Sequence, residues 1–307
     1  MSKIAFLFAG QGAQYVGMGR DLYETVPAAK AVFDLGENRR PGTLSTCFEG
    51  PGEALTQTEN TQPALFLVDL ACARALADAG VTPDAVAGFS LGEIPALAFA
   101  GVLTDADAFD TVVLRGNTMQ TCGERHPGGM AAVMKLPPEE VERIAATFDN
   151  IYPVNYNCPG QIACAGSAEE IDAFCDAVKA AGGRAVKLAV SGAFHTPFMA
   201  DATDALRRHL STLALEAPKI PLYSDYTADL YPSGSAEIAE TIAEQASRSV
   251  RWETIIRRMA EAGIDTFIEV GAGATLSKLV SRTLTDVTIL HVENAETLRE
   301  TLAALGK

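Results

Sequence analysis

An α/β fold built on a mainly parallel sheet is what the sequence predicts, on three observations. Short apolar β-type runs alternate with longer helix-like stretches. A β-α-β-β-α-β order, the ferredoxin-like unit, is complete within about 65 residues in the middle of the chain. A glycine-flanked turn, Gly88-Phe89-Ser90-Leu91-Gly92, joins an apolar strand to a helix. The expected organisation is a large domain from residues 1–125 and 192–307, with a ferredoxin-like subdomain inserted at 126–191. A cleft between the two is the natural place for a ligand.

In the large domain, Ile4–Phe8, Ala85–Gly88, Thr266–Val270 and Val287–His291 read as buried strands. Helical periodicity marks Pro63–Ala79, Leu91–Ala100, Asp105–Cys122, Pro197–Leu213, Ala236–Ser247, Trp252–Ala262 and Thr275–Leu284. Within the insertion, Gly128–Lys135 reads as a strand and Pro138–Phe148 as a helix. Ile151–Asn155 and Gln161–Ala165 pair around an Asn157-Cys158-Pro159-Gly160 turn, before a helix at Ala168–Ala181 and a strand at Arg184–Ala189.

The composition excludes several classes. With 307 residues and 48% hydrophobic content, the chain buries a full core without staples. Its 24 basic and 39 acidic residues give a net charge of −15, unsuited to nucleic acid or an anionic membrane surface. Six scattered cysteines form neither a C-x-x-C pair nor a metal-ligand pattern, so they read as core residues of a reducing cytosol. No transmembrane window exists, since Asp69, Arg74 and Asp78 interrupt the richest stretch. The apolar start is short and runs into Gly10-Gln11-Gly12, a strand and loop rather than a signal peptide. A cytoplasmic protein without metal is expected.

The chemistry centres on Ser90. Glycines flank it where the turn leaves no room for a Cβ, and the serine projects at a helix N-terminus that favours a developing oxyanion. The Leu91 N–H is placed to be one oxyanion donor. Such an elbow on a parallel sheet makes the large domain α/β-hydrolase-like. Pro95 predicts an irregular first turn in the following helix.

A serine hydroxyl needs a base. His209, beside Arg207 and Arg208, reads as solvated, and His126 as a loop residue. Two candidates remain. The hydrolase order of serine, acid, histidine selects Ser90, Asp265 or Asp286, and His291. His195, after Ser191-Gly192-Ala193-Phe194 and before Thr196-Pro197, lies in a loop between the insertion and the next helix, a better address for a base. Gly271-Ala272-Gly273 hints at a nucleotide loop but lacks the third glycine, since Leu276 stands there, and reads as a close-packed turn.

At this point a set of motifs resembles a known family. Gly10-Gln11-Gly12-Ala13-Gln14, Thr61-Gln62-Pro63-Ala64-Leu65, the Ser90 elbow with Glu93, and Arg115-Gly116 before Met119-Gln120 occur in order. Asn155-Tyr156-Asn157-Cys158-Pro159-Gly160-Gln161, Gly192-Ala193-Phe194-His195 and Glu269-Val270-Gly271 complete the series. Together they closely resemble the malonyl-CoA:acyl carrier protein transacylases, relatives of the acyltransferase domains of polyketide synthases, over nearly the whole chain.

The resemblance implies a ping-pong transfer of malonyl from CoA to a phosphopantetheine thiol, through an ester on Ser90 with His195 as general base and acid. It implies that a backbone carbonyl near Gln245 holds His195, although Ala246-Ser247-Arg248-Ser249 departs from the usual flanking residues. It makes the Gln11 N–H the second oxyanion donor and Asn155 a substrate contact. Phe194 is the malonyl-selecting form, whose bulk crowds a 2-methyl branch. Arg115, on its own an ordinary structural arginine, becomes the bidentate clamp on malonate's free carboxylate. One departure is Phe89, where the family usually has histidine. The coenzyme A thioester is then a substrate, no cofactor is implied, and a monomer is expected.

An acidic carrier protein meeting an acidic enzyme must dock on a local positive patch. The candidates are Arg184 and Lys187 on the last strand of the insertion, and Lys278 and Arg282, spaced i, i+4 on one helix. Two other readings stay open: a serine hydrolase or thioesterase using His291, and a non-catalytic module that retains the fold.

Overall fold

The computed structural model describes residues 2–188, 190 and 192–307. Its strands in chain order are β1 (Ile4–Phe8), β2 (Ala85–Gly88), β3 (Gly128–Met134), β4 (Ile151–Cys158), β5 (Gln161–Ser167), β6 (Arg184–Lys187), β7 (Leu222–Tyr223), β8 (Thr266–Val270) and β9 (Thr288–Val292). Five form a parallel sheet in the order β7-β2-β1-β8-β9. Parallel pairing forces crossover connections, which place helices over both faces. Phe6, Phe8, Val86, Ile268 and Val270 therefore meet the helices Thr58–Asp78 and Asp105–Arg125 on one side. Ala5, Leu7, Ala87 and Phe267 meet Trp252–Glu261 and Thr275–Thr283 on the other.

The remaining strands form an antiparallel sheet ordered β4-β5-β3-β6, drawn wholly from residues 128–187. Its helices, Pro138–Ala145 and Ile171–Ala180, cover one face through Val141, Ile144, Phe174 and Val178 packed on Ala131 and Val133. The opposite face, with Met130, Ala163 and Ala165, packs on Met119, Ala193, Phe194 and Met199 of the large domain. This face therefore supports the segment that carries His195.

Several elements differ from the sequence expectation. The helix expected to open at Pro63 begins five residues earlier, at Thr58, and keeps the proline inside it. The Thr58 N–H is satisfied by Gln120 Oε1 at 3.0 Å, so the helix start is capped from a neighbouring helix that local sequence cannot reveal. Helices at Arg20–Thr25, Pro27–Arg39, Thr43–Glu49 and Ala295–Ala304, and the two-residue β7, were not anticipated. β9 lies one residue later than Val287–His291, and β6 ends at Lys187; Ala189, placed in that strand by sequence, and Ser191, at the domain boundary, lie outside the described residues. Among the described residues no helix is long and apolar enough to cross a membrane.

The turn after β8 shows why glycine recurs there. Gly271 has φ +127° and a Cβ would stand 1.9 Å from Asp69 Oδ1, whereas Gly273 has φ +73° and open space around it. The Gly271→Ala variant is expected to lose about 2–4 kcal/mol, from overpacking plus left-handed strain, and Gly273→Ala only about 1–2 kcal/mol. Urea unfolding of both variants checks this, and equal midpoints would contradict it.

Candidate active site

β2 ends at Gly88, and the chain passes through a 3-10 turn, Ser90–Gly92, into the helix Glu93–Phe99. A Cβ on Gly88 would meet Gly92 at 2.0 Å, and one on Gly92 would meet the Phe8 carbonyl oxygen at 2.3 Å. Pro95 falls in the third helical position, where its missing N–H forfeits no helical bond. Ser90 itself takes φ 54°, a left-handed conformation that costs a side chain about 1–2 kcal/mol. Two bonds hold it there: its N–H donates to Asp225 Oδ2 at 2.6 Å, and its carbonyl accepts from Gln245 Nε2 at 2.6 Å.

His195, also left-handed at φ 62°, brings Nε2 to 2.7 Å from Ser90 Oγ. Its Nδ1 faces two backbone carbonyls, Gln245 at 3.0 Å and Arg248 at 2.9 Å. Carbonyls only accept, so Nδ1 bears the hydrogen and Nε2 offers its lone pair to the serine hydroxyl. Burial, and then the charge of Arg115, pushes the His195 pKa down to about 4, which leaves the ring neutral at physiological pH.

Arg115, from the helix Asp105–Arg125, is buried beside the same oxygen. It donates to Gln62 Oε1 at 3.0 Å, Gln245 Oε1 at 2.8 Å and Ser90 Oγ at 3.3 Å. All three acceptors are neutral, and its Nε has none. Burial pushes its pKa down to about 10, with Asp225 and Glu93 acting against that fall, so it stays cationic.

Sequence reasoning missed what lies beneath the serine. Glu93 accepts from the Asp225 N–H at 2.6 Å and from the Tyr231 hydroxyl, while Asp225 also accepts from Gln245 Nε2 at 3.1 Å. Burial raises the pKa of Glu93 to about 7 and that of Asp225 well above the ordinary carboxylate range, the latter helped by the charge of Glu93. Glu93 and Gln62 lie in motifs that carry the family resemblance, which gives them no role. Asp225 and Tyr231 follow a two-residue strand and carry no local signal.

The other predicted residues fall as follows. Gln11 follows β1 in a loop pressed on Phe89, and its N–H meets no acceptor among the described residues; its side chain donates to Thr58 Oγ1 at 3.2 Å. Leu91 is buried in the 3-10 turn, and Phe194 is buried against Met119 and Met130. Asn155 is buried on β4, bridged through its backbone to Val250, and its side-chain Oδ1 meets no donor among the described residues. Phe89 packs edge-on against Trp252, 5.3 Å between centroids.

The sheet register separates the four basic candidates. Lys187 shares its face with Ala131 and pairs with Asp172, on the helix-covered side of the small sheet. Arg184 aligns with Met134 and Gln161 on the open side, and Arg282 donates to Gln161 Oε1 at 2.7 Å. Lys278 is exposed one turn before Arg282. Arg184, Lys278 and Arg282 thus remain together and Lys187 does not.

The rival triad is not assembled. β9, which carries His291, lies three strands from β2, about 14 Å at ordinary strand spacing. Asp265 precedes β8 at the sheet end away from Ser90, bonded to Ser2. His209 is not simply solvated, since Nε2 meets Thr111 Oγ1 at 3.1 Å; His126 stacks on Phe198.

A family model described as acyl transferase domain matches residues 5–303. The chain is 38% identical to the malonyl CoA-acyl carrier protein transacylase of Bacillus subtilis (strain 168), covering 99% of this chain and 98% of that protein. The crystal structure of malonyl CoA-acyl carrier protein transacylase from Clostridium perfringens superposes with a TM-score of 0.94 at 34% identity, covering 99% of this chain and 98% of that one. A type II PKS acyl-carrier protein in complex with its malonyl-transacylase matches with a TM-score of 0.94 at 31% identity, covering 99% and 100%.

A base must be neutral to accept a proton, so Ser90 reactivity should be lost only as pH falls through the depressed His195 value. Acylation by an activated ester is expected to keep an acid limb near pH 4, more than two units below free imidazole. Stopped-flow acylation against pH measures it; a limb at 6–7 would show that the ring is not desolvated as drawn.

Proposed function

The chain belongs to the acyl transferase domain family, and from that premise we propose that it moves a malonyl group from malonyl-CoA to the phosphopantetheine thiol of an acyl carrier protein by a ping-pong mechanism. One observation carries this reading: a buried guanidinium with only neutral partners stands 3.3 Å from the oxygen that faces the histidine. A cation so placed suits an acyl group that carries its own carboxylate.

In the first half-reaction Ser90 Oγ attacks the thioester carbonyl while its proton passes to His195 Nε2. The Gln11 and Leu91 N–H groups receive the oxyanion. Collapse breaks the C–S bond, and the departing CoA sulfur takes the proton from Nε2. In the second, the carrier thiol gives its proton to Nε2, its sulfur attacks the ester, and Ser90 leaves and is reprotonated. The carbonyls of Gln245 and Arg248 stabilise the imidazolium as a triad carboxylate does elsewhere. When malonate's carboxylate pairs with Arg115, the second cause of the low His195 pKa is relieved, so the correct acyl group strengthens its own base. Phe194 limits the pocket beside the base. The reading assigns no cofactor beyond the coenzyme A thioester that is consumed.

Intact-mass analysis after malonyl-CoA is expected to show one malonyl adduct on the wild type and none on Ser90→Ala or His195→Ala, with His291→Ala unaffected. Arg115→Ala should lose about 30-fold to several-thousand-fold in preference for malonyl over acetyl, the ~2–5 kcal/mol of an unpaired buried charge. Adducts on Ser90→Ala, or unchanged selectivity in Arg115→Ala, would refute the roles given. For the carrier, reversing Arg184, Lys278 and Arg282 to Glu together should raise its KM severalfold and spare malonyl-enzyme formation. Lys187→Glu should alter neither, and an equal effect on both half-reactions would exclude the patch.

A further inference from the structure

The acids beneath Ser90 have no part in the mechanism above, yet they face the cation that holds the substrate. Asp225 Oδ2 is taken by the Ser90 N–H and Gln245 Nε2, whereas its Oδ1 is buried without a partner. Glu93 has both oxygens occupied, by the Asp225 N–H and the Tyr231 hydroxyl. The Asp225 N–H bond to Glu93 puts two buried carboxyls in one desolvated site, where like charge favours holding one proton on the pair. Among the described residues, the other ionisable groups around the pair are Tyr231 with its hydroxyl on Glu93, Arg115 from the helix Asp105–Arg125, His195 across the serine, and Arg251, whose N–H donates to the Asp225 carbonyl at 2.7 Å while its side chain is exposed. Arg115 is the one buried cation among them, and it is not in direct ion-pair contact with either acid.

We propose that Asp225 is a specificity-determining residue, and that the proton it shares with Glu93 must be in place for the site to accept an anionic acyl group. This rests on the transferase reading of the same site. With that proton present, Arg115 and one carboxylate leave the buried cluster neutral, and the arriving carboxylate adds a single negative charge. Without it, the resting cluster is already negative, and the substrate places a second uncompensated charge in a desolvated site. Anion binding and proton binding on the pair therefore favour each other. Acyl groups without charge do not feel the linkage.

The raised pKa of Glu93, about 7, and of Asp225 puts loss of the shared proton at or above neutrality, where malonate and Arg115 stay ionised and His195 stays neutral. Above that titration, kcat/KM for malonyl-enzyme formation should fall by up to tenfold per pH unit, the limit for one linked proton. Asp225→Asn keeps an acceptor for the Ser90 N–H and removes the charge.

The test measures malonyl-enzyme formation by rapid quench and intact mass between pH 6 and 9.5. The wild type should lose rate as the pair titrates, and Asp225→Asn, in which ionised Glu93 and Arg115 leave the cluster neutral, should hold its rate above about pH 8 and be faster than the wild type at the upper end. An identical fall in Asp225→Asn, or a flat wild type, overturns the proposal. Should Asp225→Asn not fold, calorimetry of malonyl-CoA binding to Ser90→Ala in buffers of different ionisation enthalpy reads the same linkage. Uptake approaching one proton above the titration supports it, and none overturns it. Failure to form any malonyl ester at any pH would instead strike the transferase reading itself.

Discussion

A serine held in left-handed backbone is the constraint on which this site depends. The conformation at Ser90 costs free energy, and it persists because its N–H and its carbonyl are both claimed from outside the turn, by Asp225 and Gln245. Gln245 does more than hold the elbow. Its side-chain oxygen accepts from Arg115, and its main-chain carbonyl accepts from His195 Nδ1. The Ser90 turn, the His195 ring and the Arg115 cation are thus referred to one residue at the end of the helix Ser235–Gln245, and small movements of that helix end would shift all three together.

The two sheets contribute differently. The parallel sheet delivers Ser90 at its carboxyl end, where strand β2 stops against the Gly88 and Gly92 contacts. The antiparallel sheet delivers no reacting group. Its open face packs Met130, Ala163 and Ala165 against Ala193 and Phe194, immediately before the base. The small sheet acts as a buttress for the segment before His195, and the β3–β6 register puts Arg184 on the same face as Met134 and Lys187 on the opposite one with Ala131, because successive residues of a strand point to opposite faces.

Much of this was legible in the sequence, because the strongest signals are local. An apolar strand followed by Gly-x-Ser-x-Gly needs no tertiary information to read as an elbow, and the β-α-β-β-α-β order needs only periodicity. What escaped reading depends on distant partners. The helix start at Thr58 is capped by Gln120, 62 residues away, so the local preference for proline at a first turn misled. Asp225 and Tyr231 follow a two-residue strand, and nothing in Tyr223-Ser224-Asp225-Tyr226 distinguishes a buried acid from a turn residue. The facing of Lys187 required the register of β6 on β3, which alternation alone leaves ambiguous by one residue.

The burial of Arg115 remains to be accounted for energetically. Removing a guanidinium from water without a contacting carboxylate is unfavourable, and the fall of its pKa to about 10 reflects that. The structure could have paired it directly with Glu93 or Asp225, but a fully paired guanidinium has no strong interaction left for a substrate. Here neutral amides of Gln62 and Gln245 solvate it, while the acids stay one layer behind, tied to backbone N–H groups and to Tyr231. The long-range field keeps the cation charged, and the near side stays free to exchange neutral partners for an anion. Under the proposed transfer, selectivity for a charged acyl group follows from where the counter-charges were not placed as much as from where the arginine was.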